Sequence, residues 1–293
     1  MLRGAGPTLT DPTSAAAIVM LRLVWNVDPV LLHLGPLQLR WYGLLFTAGI
    51  LLAYRVGVWS FELAGGDREE TNRLLSYVVV GTVVGARLGH CLLYEPAYYL
   101  RHPLEILAVW RGGLASHGGA VGIVLAVWLF ARRTGRDLRW LLDRVAVTAP
   151  IAAASIRVGN FFNSEIVGRP SNGPWAVVFA RLDPLPRHPA MLYEAAAYLM
   201  TFGVMLWLEW RTGIRERLGA LTGILLVLVF GARFAIEFLK EPQEAFEAAL
   251  PLDLGQLLSI PAVLIGVLLV TAAYRRSGSG TASGAGEFDP YKD

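Results

Sequence analysis

The amino-acid sequence predicts an all-α, polytopic integral membrane protein of about seven transmembrane helices, with its N-terminus outside and its C-terminus cytoplasmic. Three observations lead there. Of 293 residues, 55% are hydrophobic and 17% charged, and mean hydropathy is +0.49; soluble domains carry roughly a quarter charged residues. Apolar stretches near the length that crosses a bilayer, roughly 20 residues, recur along the chain. Basic residues concentrate in alternate loops between them, the pattern expected when positive charge stays on the cytoplasmic side.

In chain order, residues 1–26 read as a poorly ordered N-terminal extension. Residues 1–19 hold no apolar block, and "AAAIVMLRLVW" is short and interrupted by Arg22, so neither a signal peptide nor a span is expected there. Met20 is an alternative start. A transmembrane domain is expected over 27–274, with spans near 41–59, 75–94, 113–131, 141–161, 189–210, 218–239 and 255–274. The loop after the first span carries Arg68 and Arg73, that after the third Arg132, Arg133, Arg136 and Arg139, and that after the fifth Arg211, Arg215 and Arg217. Arg275 and Arg276 follow the seventh. The intervening loops are longer and poorer in basic residues, and "KEPQEAFEAALPLD" is mostly acidic. Trp41, Trp59, Trp110, Trp128, Trp140, Trp207 and Trp210 fall near span ends, where indoles favour the headgroup zone. The Gly/Ser-rich stretch 275–293 reads as a disordered cytoplasmic tail. No internal repeat is visible.

This topology assigns a depth to each embedded polar residue. Tyr42 opens span one, Arg87 and His90 lie late in span two, and His117 opens span three in "SHGG". Arg157 and Asn160 close span four, Tyr193 and Glu194 open span five, and Arg233 and Glu237 end span six. All fall in the outer half. Ionisable groups are costly in a bilayer and point to function by default. Single residues have simpler accounts: Arg233 and Glu237, spaced i,i+4, can neutralise each other, Arg87 can pair with Glu237 or Glu194, a lone His117 can be a packed histidine, and Arg55 can snorkel to the inner surface. Arginines from three helices in one leaflet, flanked by glycines in "GARLGH", "RVGN" and "EIVGR", favour an outward-facing polar cavity. The planar guanidinium fork suits an oxyanion such as phosphate, which in an outer leaflet means a lipid headgroup.

Several classes are disfavoured. The arginines form short clusters rather than one basic face, so no nucleic-acid partner is expected. No metal or organic cofactor is indicated: H-E-x-x-H, cysteine-cluster, P-loop and dinucleotide motifs are missing, as is the G-x-S-x-G of serine hydrolases. The single cysteine, Cys91, excludes an intrachain disulfide and reads as a packing residue. An anion transporter or channel is the main rival, but a repeat and a midplane site are expected of it. An intramembrane protease has only Ser116 beside His117 to draw on.

The stretch "RVGNFFNSEIVGR" resembles the signature G-R-x-G-N-F-x-N-x-E-x-x-G of the bacterial prolipoprotein diacylglyceryl transferases, with Ser155-Ile156 where a glycine usually precedes the arginine. "VDPVLLHLGPLQLRWYGLLF", "GGLASHGG", "RHPAMLYEA" and "RFAIEFLKEP" resemble further motifs of that family in the right order, from about Val27 to Tyr274. Val229 and Phe230 stand where many members have a tyrosine before the late arginine. The resemblance implies an enzyme of the bacterial inner membrane that moves the diacylglyceryl group of phosphatidylglycerol onto the lipobox cysteine thiol of a prolipoprotein signal peptide. A thioether forms and glycerol phosphate leaves on the periplasmic side. It marks Tyr42, His117, Arg157, Asn160, Glu165, Gly168, Arg233 and Glu237 as site residues; Arg87 joins them as a substrate-binding candidate by its depth. In the expected chemistry His117 takes the thiol proton, or an arginine assists its loss indirectly; Arg157 and Arg233 stabilise the departing phosphate, Asn160 and Tyr42 donate hydrogen bonds, and Glu165 and Glu237 orient the arginines or the histidine. "SNGPWAVVFARLDPLPRHP", with Arg181 and Arg187 inside and Arg169 just before it, is long enough to cap the outer face.

Overall fold

Each expected span falls on a helix. A computed structural model describes residues 23–35, 37–241 and 252–280, and among them are seven long helices: α1 Trp41–Leu63, α2 Arg68–Leu93, α3 Ser116–Thr134, α4 Leu138–Asn163, α5 Ala190–Arg211, α6 Ala220–Glu237 and α7 Leu254–Gly280. Six are long and apolar enough to cross a membrane; α3, with His117 at one end and Arg132 and Arg133 at the other, is not among them. The helix ends have local causes. Asp67 caps α2 by accepting from the Glu70 amide at 2.7 Å, and Glu69 and Glu70 complement the positive end of the dipole. α3 stops at Gly135, which takes the left-handed conformation (φ 73°) that glycine adopts without a Cβ clash.

The sequence did not announce strands, yet five short ones form among the described residues. β1 (Leu23–Trp25) pairs in parallel with β4 (Val177–Phe179), and β4 pairs antiparallel with β5 (Pro186–Arg187). β2 (Val30–Leu34) and β3 (Leu37–Arg40) make a separate antiparallel hairpin. The expected poorly ordered extension over 1–26 is corrected at its end: Leu23–Trp25 is a strand, and the rest of that expectation, with Met20, lies outside the described residues. α7 continues past the expected tail start at 275 to Gly280, and 281–293 are likewise outside the described residues.

The chain divides into two compact units, one of Met1–Gly49, Ala153–Leu199 and Phe230–Pro261, the other of Ile50–Ala152, Met200–Val229 and Ala262–Asp293. In the first, Phe161, Val167, Val177, Phe179 and Met191 form a buried cluster between the sheet and the helices. Trp25 of β1 stacks on it, with its ring centroid 4.1 Å from that of Phe161, so the sheet fixes the segment that leaves α4.

In the second unit, one buried cluster gathers Val147, Met205, Leu221 and Ala273, and another Phe61, Leu74, Phe130 and Leu141. Cys91 is buried as a packing residue. Glycines let α2 and α3 touch backbone to backbone. Gly81, Gly85 and Gly89 recur every fourth residue on α2 and face Gly118 and Gly122 on α3, the small-residue interface typical of membrane helices. A Cβ on Gly89 would stand 2.7 Å from the Gly118 Cα. Two buried polar contacts tie the helices here: Asp143 accepts from the Gly219 and Thr222 amides (2.7 and 2.8 Å), holding the start of α6, and Arg144 pairs with Glu209.

Candidate functional site

The site of the first unit is built where α4 ends. Its last two turns carry Arg157 and Asn160 on one face at i,i+3, and the Arg157 Nη1 donates to Asn160 Oδ1 at 3.1 Å. Past Asn163 the chain turns sharply: Ser164 and Ile166 both take φ 58°, a left-handed conformation that costs energy in a non-glycine residue. That turn brings Glu165 back, so that it accepts from Asn160 Nδ2 at 2.9 Å and from Asn163 Nδ2 at 3.1 Å. The Asn160 amide thereby links the guanidinium on one side to the carboxylate on the other.

Gly159 supplies the space for Tyr42. A Cβ there would lie 2.8 Å from Tyr42 Cδ2, so the phenol ring of α1 rests against the α4 backbone. Gly168 is equally constrained: a Cβ would lie 2.6 Å from both the His188 Cβ and the Leu239 carbonyl oxygen. The Gly168 amide donates to the His188 carbonyl at 2.8 Å, and the Arg169 amide to that of Leu239 at 2.8 Å. These bonds stitch the end of the "EIVGR" turn between the start of α5 and the end of α6.

At the centre is Glu194, one turn into α5 and fully buried. Arg157 Nε stands 2.7 Å from its carboxylate, Lys240 Nζ 2.8 Å and Arg233 Nη1 3.5 Å. Arg233 and Glu237 therefore do not simply neutralise each other: Arg233 runs to Glu194, whereas Glu237 is 3.0 Å from Lys240. The buried Tyr198 hydroxyl, four residues after Glu194 and so on the same helix face, is in hydrogen-bonding reach of both arginines. Gly255, at the start of α7, admits the Glu237 carboxylate so closely that a Cβ would meet its Cδ at 2.5 Å.

Exposure decides which side of this cluster meets a ligand. Glu194 and Lys240 are 0% and 3% exposed in their side chains, whereas Arg157 and Arg233 are 16% and 25% exposed. The carboxylate is behind and the two guanidiniums are in front. Anchored from behind, they present fixed N–H donors, the arrangement that suits an oxyanion.

The loop after Gly168 is held by its own arginines. Arg187 forks onto Asp183 (2.6 Å at Nη2) and reaches Glu241 at 2.7 Å, Arg169 Nε donates to the Lys240 carbonyl at 2.9 Å, and Arg181 lies 3.8 Å from Asp28. The Arg187 guanidinium holds the Asp183 carboxyl below its ordinary pKa, and Asp183 in turn raises that of Arg187.

Arg87 and His117 belong to the second unit. Arg87 is 4% exposed and its guanidinium donates to backbone: Nε to Ile106 O (2.8 Å), Nη1 to Gly112 O (2.7 Å) and Gly113 O (3.2 Å), and Nη2 to Glu105 O (2.6 Å). With four bonds to carbonyls it organises the 105–113 segment, and these bonds stand where a pairing with Glu237 or Glu194 was expected. His117 opens α3, is exposed, and has no hydrogen-bond partner for its imidazole among the described residues. It lines the end of an apolar groove of about 840 Å³ between α2 and α3, floored by Gly85, Gly89 and Gly118.

A family model described as prolipoprotein diacylglyceryl transferase matches residues 29–272. The chain belongs to that family. Curated relatives agree along nearly their whole length. A phosphatidylglycerol–prolipoprotein diacylglyceryl transferase of Tolumonas auensis is 50% identical over 249 residues, 85% of this chain and 96% of its own. Proteins of the same name from Chloroherpeton thalassium and Porphyromonas gingivalis are 46% and 44% identical, over 87% and 86% of this chain and 96% and 95% of theirs. Of the residues that the family motifs marked, Tyr42, Arg157, Asn160, Glu165, Gly168, Arg233 and Glu237 gather in the first unit. Three further members of that cluster were not among them. Glu194 lies inside the quoted "RHPAMLYEA" and Lys240 inside "RFAIEFLKEP"; Tyr198 follows one helical turn after Glu194, which is the signal that finds it.

Proposed function

We propose that this chain transfers the diacylglyceryl group of phosphatidylglycerol to the lipobox cysteine thiol of a prolipoprotein, on the periplasmic face of a bacterial inner membrane. The activity follows from membership of the family and from the names its relatives carry. The observation that carries the chemistry is the pair Arg157 and Arg233, from two helices, anchored on one buried carboxylate with their other edges accessible. Alternation of basic loops supports the outward orientation.

In this reading the substrate thiol loses its proton to His117, since the thiolate is the nucleophile and a free cysteine has pKa about 8.5. The thiolate attacks the glycerol carbon next to the phosphate oxygen. A C–S bond forms, the C–O bond breaks, and its electron pair leaves on glycerol phosphate. Arg157 and Arg233 stabilise the negative charge gathering on that oxygen, with Tyr42 as a further donor. Asn160 and Glu165 position Arg157. Glu194, Glu237 and Lys240 position Arg233, and Gly168 holds the turn that returns Glu165.

The test is reconstitution with phosphatidylglycerol and a lipobox peptide, following lipidated peptide and released glycerol phosphate. Wild type should yield both, and Arg157→Ala should be slower by about 10² to 10³, the usual cost of removing one such electrostatic contact. No product from folded wild-type protein would overturn the reading. Near-normal turnover of His117→Gln at neutral pH would remove the histidine from its role.

A further inference from the structure

The second unit carries a basic, aromatic groove that the transfer reaction does not use. It lies between the C-terminal halves of α1 and α5, has a volume of about 940 Å³, and is lined by Arg55 and Trp59 from α1 and Trp207, Trp210 and Arg211 from α5. Half-buried Val56 and Leu206 back it and pack onto the core behind. No carboxylate lines it.

Its geometry is fixed from within. Ser60, next to Trp59, donates to Glu209 Oε1 at 2.8 Å, and Glu209, next to Trp210, is fully buried against Arg144. The two helices are thus joined directly behind the groove, and the nearest buried carboxylate is already neutralised. The Arg215 guanidinium donates to the Leu63 carbonyl at 2.6 Å, which puts the C-terminal ends of α1 and α5 at one level. On the outside the groove is open: Trp207 and Trp210 are 58% and 60% exposed.

Three indoles mark the headgroup zone of a bilayer. Neither arginine of the groove is paired with an anion among the described residues. Among the described residues Arg55 has no ion-pair or hydrogen-bond partner, and the contact recorded for Arg211 is the Trp210 ring, 4.2 Å from its guanidinium carbon. Such a pair over an apolar floor complements a phosphate whose acyl chains run along Val56, Leu206 and the indoles.

We propose that the α1–α5 groove is a binding site for an anionic phospholipid, its phosphate between Arg55 and Arg211. It requires no transfer activity, and Arg157 and Arg233 take no part in it.

Native mass spectrometry of the detergent-solubilised full chain tests this, with cardiolipin and phosphatidylcholine as probes. Wild type should retain cardiolipin in preference to phosphatidylcholine, and Arg55→Gln/Arg211→Gln should weaken cardiolipin retention by about tenfold or more, since each basic residue near a charged lipid surface contributes about 1 kcal/mol. Arg55→Lys/Arg211→Lys should keep most of it, which guards against misfolding of the glutamine variant. Arg157→Ala should leave this component unchanged, separating it from lipid held at the transferase site. Equal retention of cardiolipin by wild type and the glutamine variant, or equal retention of the two lipids by wild type, would overturn the proposal.

Discussion

Arg157 Nε stands 2.7 Å from the fully buried carboxylate of Glu194, so the arginine of the α4 motif is held by a residue of the α5 motif. Arg233 of α6 and Lys240 beyond it reach the same carboxylate. Motifs far apart in the chain therefore make one electrostatic unit, whose geometry depends on a group too buried to meet a substrate.

Glu194→Gln should consequently behave as a site mutation. The amide leaves three cations facing a neutral group, and uncoupling a buried ion pair costs about 3–5 kcal/mol. The expected outcome is a lower unfolding temperature together with a fall in transfer rate of about 10² to 10³ as the guanidiniums lose their fixed orientation. Turnover measured beside thermal unfolding decides it; retention of wild-type turnover would mean that the arginines do not depend on Glu194.

Gly168→Ala should destabilise the first unit by about 1–3 kcal/mol, the range for forcing an extra methyl into a packed site. The added Cβ would stand 2.6 Å from the Leu239 carbonyl oxygen, a backbone atom that cannot swing aside. Gly231→Ala is the matched control. Nothing lies within 4 Å of a Cβ there, and mid-helix alanine gains up to about 1 kcal/mol over glycine. Denaturation of the two variants should move in opposite directions.

The helices were legible because their signal is long. An apolar stretch near bilayer length survives a few interruptions, and all seven expected spans lie on helices. Boundaries were less so: α2 starts at Arg68 rather than near 75, because its first turns, "REETNR", are polar and only the Asp67 cap marks the beginning. β1 and β4 are three residues each and pair across more than 150 positions, too short for a periodicity and too distant for a turn signal. The surroundings of Arg87 were not legible, because an embedded arginine looks the same in sequence whether it waits for a ligand or grips carbonyls 18 to 26 residues away. Lys240 sits just past the end of α6, where a basic residue reads as ordinary helix-end chemistry.

Gly118→Val should separate α2 from α3. A Cβ at Gly118 would meet the Gly85 carbonyl oxygen and stand 2.8 Å from the Gly89 Cα, whereas one at neighbouring Gly119 meets nothing closer than 3.6 Å. Membrane helices associate through such close packing. Gly118→Val should thus lower the unfolding temperature and, through displacement of adjacent His117, the transfer rate, while Gly119→Ala should leave both near wild type.

Acid should loosen the β4–β5 segment first. Asp183 accepts from Arg187 Nη2 at 2.6 Å and from the Leu185 amide at 2.9 Å, and Arg187 holds its pKa below the ordinary 3.8. A carboxyl whose pKa is depressed by folding contributes stability that is fully present above the unfolded value and disappears as pH falls through the folded one. Its side chain is 24% exposed, so the contribution is moderated by solvent and by salt. Hydrogen-exchange protection across residues 177–187 should be constant from neutral pH down to the ordinary carboxylate range and fall below it. In Asp183→Asn the protection should already be reduced at neutral pH and should lack that acid step. A step of equal size in the variant would assign the acid sensitivity to another carboxylate, with Glu241, the second partner of Arg187, the next to replace.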